Sequence, residues 1–168
     1  MTERYAAGPA ALHAALTGVA AGVALMTIAD GRDDIGTTVS TFCPVSEDPP
    51  LVLVALMAAS YPAEVVFRVD TFAVTLLAAE QRMLAGRFAA AGRPGARLLL
   101  DGVPHTRGAR SGALIPDGGL AALDCEVDRL IPAGDHLVVM ARVMDVPYVS
   151  DSADPLIRFR GRYPALSR

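Results

Sequence analysis

Between residues 36 and 57 the chain sets two apolar stretches on either side of a short polar hinge. Residues 37–42, Thr-Thr-Val-Ser-Thr-Phe, put five β-branched or aromatic side chains into six positions. That composition suits a pleated strand, and it is rich in hydroxyls for a segment expected to be buried. Glu47-Asp48-Pro49-Pro50 closes the strand, because tandem prolines fix φ and offer no N–H to a ladder. Residues 51–57, Leu-Val-Leu-Val-Ala-Leu-Met, run apolar without a break, the mark of a strand covered on both faces. A hydroxyl-lined strand beside a buried one fits the wall of a binding cavity. It also fits an ordinary hairpin whose hydroxyls bond to nearby backbone, and spacing alone favours that simpler reading.

The same reading extends along the chain. Residues 1–8 form a loose arm. A short helix spans residues 9–16, with Pro9 in its first turn and Gly18 just past its end. Strands follow at 22–30 and 35–44, joined through Asp30-Gly31, a strong hairpin signal. After the strand at 51–57 come a short helix at 62–69 and a strand at 71–77. A helix at 79–90 turns Met83, Leu84, Arg87 and Phe88 to one face. Residues 92–112 show no period but carry Arg93, Arg97, Arg107, Arg110 and His105. Such a segment is either a lid or binding loop or a solvated surface loop. Residues 120–130 alternate as a half-buried strand, 136–146 form the longest strand, and 156–163 a short closing one. Many short strands with two short helices make the fold mainly β and barrel-like.

Composition narrows the function classes. The 168 residues make one domain, large enough to bury a core without metals or crosslinks. Hydrophobic residues are 52% and charged ones 20%, so a second subunit is expected to cover part of the apolar surface, as a homodimer. A net charge of −3 with scattered basic residues argues against nucleic acid. Cys43 and Cys125 belong to no Cys/His cluster that would hold a metal, and both are expected as buried packing residues. Residues 9–29 carry no formal charge, yet their Ala, Gly, Thr and His content makes a weak membrane span. With no membrane and no signal-peptide pattern, a cytoplasmic protein is expected.

Taken in order, the stretches GVALMTI, GTTVSTF with VSEDPPLVLVAL, TFAVTLLAAEQRMLAGRF, AALDCEV, AGDH and PLIRFRGRYPAL resemble the flavin reductase-like family. That resemblance implies an FMN-binding split β-barrel in one domain. It also implies a homodimer that uses NAD(P)H to reduce FMN or FAD and passes reduced flavin to a partner monooxygenase. By position, Thr38, Val39, Ser40 and Thr41 match the strand that faces the isoalloxazine ring. Donors there would stabilise charge developing on the ring. Arg87 and Phe88 match a helix end at the flavin phosphate or ring, Ser60 a phosphate hydroxyl, and Tyr163 a terminal aromatic near the pocket. His136, in the Gly134-Asp135-His136 turn, matches the nicotinamide side. A histidine there could support pyridine-nucleotide binding or move a proton near neutral pH; held by Asp135, it could equally be a capped turn residue.

The departures from the family weigh against the cofactor more than against the fold. Where members carry a polar phosphate and ribityl segment, this chain reads Met57-Ala58-Ala59-Ser60-Tyr61-Pro62, with only Ser60 left as a phosphate hydroxyl. A phosphate needs several donors to offset its desolvation, and these would come from Arg87 or the arginines after residue 92. Thr37 stands where a larger apolar residue is usual, and the segment after the Arg-Phe helix lacks Trp. The main expectation is an NAD(P)H-dependent flavin reductase. The alternative is a flavin-independent cyclase or isomerase, such as a pericyclase, that holds an apolar natural-product intermediate in the same cavity and acts by orientation. A binding protein without turnover is a third reading.

Overall fold

The computed structural model describes residues 8–31 and 33–166, so the arm expected at residues 1–8 lies almost wholly outside the described residues. In chain order the first elements are α1 (Pro9–Leu16), β1 (Ala21–Gly22), β2 (Ala24–Asp30), β3 (Asp33–Val39), β4 (Cys43–Glu47), β5 (Pro50–Met57), α2 (Tyr61–Val66) and β6 (Thr71–Leu76). A 3-10 turn (Ala79–Gln81) leads into α3 (Arg82–Ala89), followed by α4 (Ala96–Leu99), β7 (His105–Arg107) and β8 (Leu114–Pro116). The chain closes with β9 (Ala121–Ala133), β10 (His136–Val149) and β11 (Ile157–Arg158).

Seven strands form one antiparallel sheet in the order β3-β2-β6-β9-β10-β5-β4. β3 and β4 are its two edges, yet only residues 40–42 separate them in sequence. Four Cα steps reach no further than about 14 Å, so the sheet must curl until its edges nearly meet. The result is the mainly β split barrel expected from the sequence. The pattern at residues 35–44 predicts one continuous strand. The chain instead stops at Val39, crosses the split and begins again at Cys43, because no single straight strand can pair with both β2 and β5 as the two edges of the sheet. Thr41 fixes the crossing: its hydroxyl donates to the Ala55 carbonyl at 2.8 Å and accepts from the Ala55 N–H at 3.1 Å.

Side-chain alternation along β2 divides the interior in two. Met26 and Ile28 join Val54, Phe72 and Val139 inside the barrel, while Leu25 packs with Leu84, Phe88 and Leu100 beneath the helices. The buried face of α3 is Leu84, Ala85 and Phe88; Met83, placed on that face by its spacing, is 76% exposed. The face is set by β3, where Gly36 leaves room for the Phe88 ring: a Cβ at residue 36 would overlap Phe88 Cε1. β5 corrects the expectation of a strand covered on both sides. Val52, Val54 and Leu56 are buried, but Leu51, Leu53 and Ala55 are half-buried and Met57 is 64% exposed.

The irregular segment is tied down and is not a free lid. Asp34, whose side chain is 3% exposed, receives Arg97 Nη2 at 2.7 Å and Arg107 Nη1 at 2.8 Å. Further on, the buried Asp124 carboxylate accepts the backbone N–H groups of Arg110 at 2.7 Å and Ser111 at 3.2 Å. Cys125 is buried as expected, whereas Cys43 is exposed, because β4 is an edge strand. The closing strand is shorter than residues 156–163. Only β11 pairs, with β1, and a tight turn at residues 159–162 follows. Among the described residues no helix is long and apolar enough to cross a membrane.

Candidate functional site

The outer edge of β3 is the organising feature of the site. The Gly36 carbonyl accepts from Arg93 Nε at 2.8 Å and therefore faces away from β2. Backbone groups alternate along a strand, so those of Thr38 face the same way. β3 is an edge of the sheet, and among the described residues the Thr38 N–H and carbonyl meet no backbone partner there. A free donor and a free acceptor thus stand side by side on rigid backbone.

Three hollows lie along this edge. The largest, about 740 Å³, runs from Asp33, Asp34 and Gly36 to Ser60, Tyr61 and Arg93. A second, of about 450 Å³, is lined by His13, Leu16 and Val19 on one side and by Ser40, Thr41, His136, Arg158 and Arg160 on the other. A third, of about 250 Å³, touches Thr38, Ser40, Arg158 and Tyr163 and shares Ser40, Arg158 and Gly161 with the second. The end of β5 joins this group because the Ala58 N–H donates to the Asp135 carbonyl at 2.9 Å.

The residues singled out from the sequence fall into two groups. Thr38, Ser40, Thr41, His136 and Tyr163 come together around the smaller hollows, and Ser60 lines the largest. The Thr38 hydroxyl, however, donates to the Ala85 carbonyl at 2.6 Å, and that of Thr41 serves Ala55. Thr41 bonds to hairpin backbone, as the simpler reading has it, and Thr38 to the backbone of α3, whereas Ser40 makes no such bond among the described residues. Three residues stand apart. Val39 is a core residue, Phe88 is 0% exposed beneath Gly36, and Arg87 lines none of the three hollows and donates to the Leu99 carbonyl at 3.2 Å. Phe88 therefore supports β3 from below and has no surface to offer a ligand.

Electrostatics separate the arginines. Burial works against a charged Asp34, but hydrogen bonds from Arg107 and Arg97 more than offset it and hold its carboxyl below the ordinary value of 3.8. Those two arginines are thereby committed to structure. Arg93 is different: among the described residues it bonds only carbonyls, those of Gly36 and Ala90, and no carboxylate pairs with it. Burial lowers its pKa, so it is a partly desolvated cation facing the largest hollow. Ser60 stands opposite, its oxygen accepting from the Ala63 N–H at 3.3 Å while its proton stays available. His136 Nδ1 lies 2.7 Å from Asp135 Oδ1, and this hydrogen bond holds the Asp135 carboxyl below its ordinary value. With the carboxylate as acceptor, Nδ1 carries the proton and Nε2 is the atom the ring leaves free.

Residues 16–167 match the flavin reductase like domain. The chain belongs to that family. This flavin reductase-like chain is 33% identical over 145 residues to an NADH-dependent FMN reductase from Streptomyces nodosus subsp. asukaensis, covering 86% of this chain and 78% of that protein. It is 37% identical over 162 residues to an actinorhodin polyketide dimerase from Streptomyces coelicolor, covering 96% and 88%. Its fold matches the crystal structure of the flavin reductase component of a bacterial two-component tryptophan halogenase with a TM-score of 0.87. The two chains share 30% identity over 96% of this chain and 99% of that one.

The residues present fit a flavin. The paired N–H and carbonyl of Thr38 match the alternating acceptors and donor on the polar rim of an isoalloxazine, and the hollows flank that edge at both ends. Arg93 places a cation on the hollow that Ser60 lines, where a phosphate would find the charge that residues 57–62 lack. The sequence names Arg93 among several arginines after residue 92. What distinguishes it, the bond to Gly36, is visible only in the fold.

Proposed function

We propose that this chain is an NAD(P)H:flavin oxidoreductase that takes FMN or FAD along the outer edge of β3. The observation that carries this reading is the Thr38 backbone, without a partner among the described residues and set between Arg93 at one end of the edge and His136 at the other. When bound, the flavin supplies a two-electron acceptor for hydride from the reduced nicotinamide. The Thr38 N–H, fixed in the sheet before any ligand arrives, stabilises charge gathering on the ring rim without reorganisation. Ser40 adds a hydroxyl donor beside it. Ser60 and Arg93 hold the phosphate. His136, oriented by Asp135, lines the nicotinamide side and offers Nε2 as hydrogen-bond partner or proton carrier. Tyr163 closes the far wall, steadied by the Arg82 guanidinium 5.4 Å above its ring.

Two further features support assembly. Leu53 and Ala55 on β5 pair across the sheet with Met140 and Val138 on β10, and all four side chains face outward, half-buried, in one chain. A second copy covering this face makes the homodimer that the lean surface charge calls for. The relatives include a reductase component of a two-component halogenase, which supports delivery of reduced flavin to a separate oxygen-using enzyme.

The test is a titration of the purified protein with FMN and FAD, followed by anaerobic addition of NADH. Saturable flavin uptake and bleaching of the flavin absorbance are the expected results; no uptake and no bleaching would overturn the reading. A flavin-independent cyclase or isomerase activity on an apolar natural-product intermediate is the second reading. It is favoured by the apolar Met57-Ala58-Ala59 segment and by the likeness to a polyketide dimerase. A chain that fails with flavin but alters such an intermediate without a reductant would establish it.

A further inference from the structure

Arg160 has the backbone conformation of a glycine. Its φ is +48°, the one positive value at a non-glycine residue among the described residues, and Gly161 follows at +71°. The two form the tip of a tight turn closed by reciprocal bonds, Phe159 N–H to the Arg162 carbonyl and Arg162 N–H to the Phe159 carbonyl, each 2.9 Å. Two consecutive left-handed residues mark a type I′ turn, which Asn-Gly or Gly-Gly fills without strain and an arginine does not. The turn therefore gains nothing from arginine as backbone. Among the described residues its guanidinium meets the neighbouring Phe159 ring, at 5.1 Å, and no carboxylate.

That strained position also borders the site. Arg160 and Arg158 both line the 450 Å³ hollow, together with His13 and His136, and among the described residues no acidic one lines it. Arg158 likewise has no carboxylate partner among the described residues. Two arginines lining one hollow, with no acidic residue among its described lining, make it a place for an anion, and Arg binds phosphate oxygens two at a time. The hollow adjoins Ser40 and Thr41 at the β3 edge. An anion here is therefore carried by whatever lies beside the flavin ring on the His136 side. Backbone held in a sparsely populated region is a reason to look for function there.

We infer that Arg158 and Arg160 form the site for the bridging diphosphate of the nicotinamide dinucleotide, an assignment that rests on the reductase reading above. It sets the dinucleotide's diphosphate apart from the flavin phosphate, which falls at Arg93 in a different hollow.

Arg160→Gly is the informative substitution, because it removes the charge while suiting the turn. With FMN as acceptor, KM for NADH should rise roughly tenfold or more, the loss of one charge-assisted phosphate contact, while kcat changes little. KM for reduced nicotinamide mononucleotide, which lacks the diphosphate, should not move. The melting temperature should hold or rise. An unchanged KM for NADH, or an equal rise for the mononucleotide, would overturn the assignment. So would a loss of FAD affinity with NADH unaffected, since the diphosphate would then belong to the flavin. If the wild-type protein oxidises no NADH with any flavin, the reductase reading fails first. That outcome is distinct from a working reductase indifferent to Arg160.

Discussion

Arg93 Nε donates to the Gly36 carbonyl at 2.8 Å, and this one bond links the phosphate end of the site to the strand that would carry the ring. Together with the Nη1 bond to the Ala90 carbonyl it leaves Nη2 for the 740 Å³ hollow that Arg93 lines with Ser60. Arg93→Met keeps the aliphatic stem and removes the donors. FMN affinity should fall by about ten- to a hundredfold, in line with one or two charge-assisted bonds to phosphate. Riboflavin, which has no phosphate, should bind nearly as before. Fluorescence titration of both flavins checks this, and equal losses for the two would show that Arg93 acts only by holding β3.

Asp34 and its two arginines anchor α4 and β7 to the start of β3. Because the folded pKa is depressed, the pair contributes stability that is complete above the unfolded carboxylate value and is lost as pH falls through the lower folded one. Asp34→Asn should cost about 1–3 kcal/mol near neutral pH. The gap to wild type should narrow as pH drops below 3.8, where the unfolded carboxylate protonates, and close below the lower folded value, where native Asp34 also becomes neutral. Urea unfolding of both proteins across that range measures it. A gap that stays constant with pH would assign the cost to geometry and not to charge.

These two relationships show what could be read from sequence. The strands announced themselves because β2, β5 and β6 alternate or run apolar over enough residues to be seen without partners. The break at residues 40–42 was invisible, since Ser-Thr-Phe suits a strand locally and only closure of the barrel forbids one there. Candidate site residues at Ser40, His136 and Tyr163 could be picked by position. The roles of Arg93 and Arg160 could not, because a guanidinium's partner and a positive φ are properties of the folded chain. Asp124 makes the same point. Within an alternating strand it passes for a solvated polar position, yet it is fully buried, and the backbone N–H groups it accepts belong to a segment with no pattern of its own.

The two cysteines should respond oppositely to thiol reagents. Burial, with the neighbouring Asp124 carboxylate adding to it, pushes the Cys125 thiol up to about 12, so near pH 8 only about one part in ten thousand is thiolate. In a Cys43→Ser variant the native protein should not react with an aromatic disulfide reagent, and one thiol should appear on unfolding. Rapid reaction in the native state would mean that β9 opens far more readily than its central place in the sheet allows.

Leu53 and Met140 are cross-strand partners on the outward face of β5 and β10. If a second copy covers that face, Leu53→Lys should yield a monomer by light scattering at concentrations where wild type is a dimer, because a buried unpaired ammonium costs several kcal/mol. The monomer should stay folded, since the inward residues Val52, Val54 and Leu56 are untouched. An unaltered dimer would place the interface elsewhere, and the exposed Leu12 and Leu16 of α1, a helix that buries no residue in its own chain, would be the next surface to alter.

Gly36 and Phe88 give the most direct test of the rule that β3 must lie flat on α3. A methyl at residue 36 would collide with the Phe88 ring, so Gly36→Ala should destabilise the fold by about 1–3 kcal/mol, the usual range for overpacking. Phe88→Leu alone opens space under β3 and should cost about as much by leaving a cavity. The double variant should recover part of both losses, because the smaller side chain leaves room for the methyl, and residues in contact couple by about 0.5–3 kcal/mol. Denaturant unfolding of the four proteins closes the cycle. Flavin affinity should follow the same order, since the Thr38 backbone edge is held two residues from Gly36 and moves when β3 is lifted from the ring below. Strict additivity would mean that β3 and α3 yield independently, and the rigidity claimed for the edge would be lost.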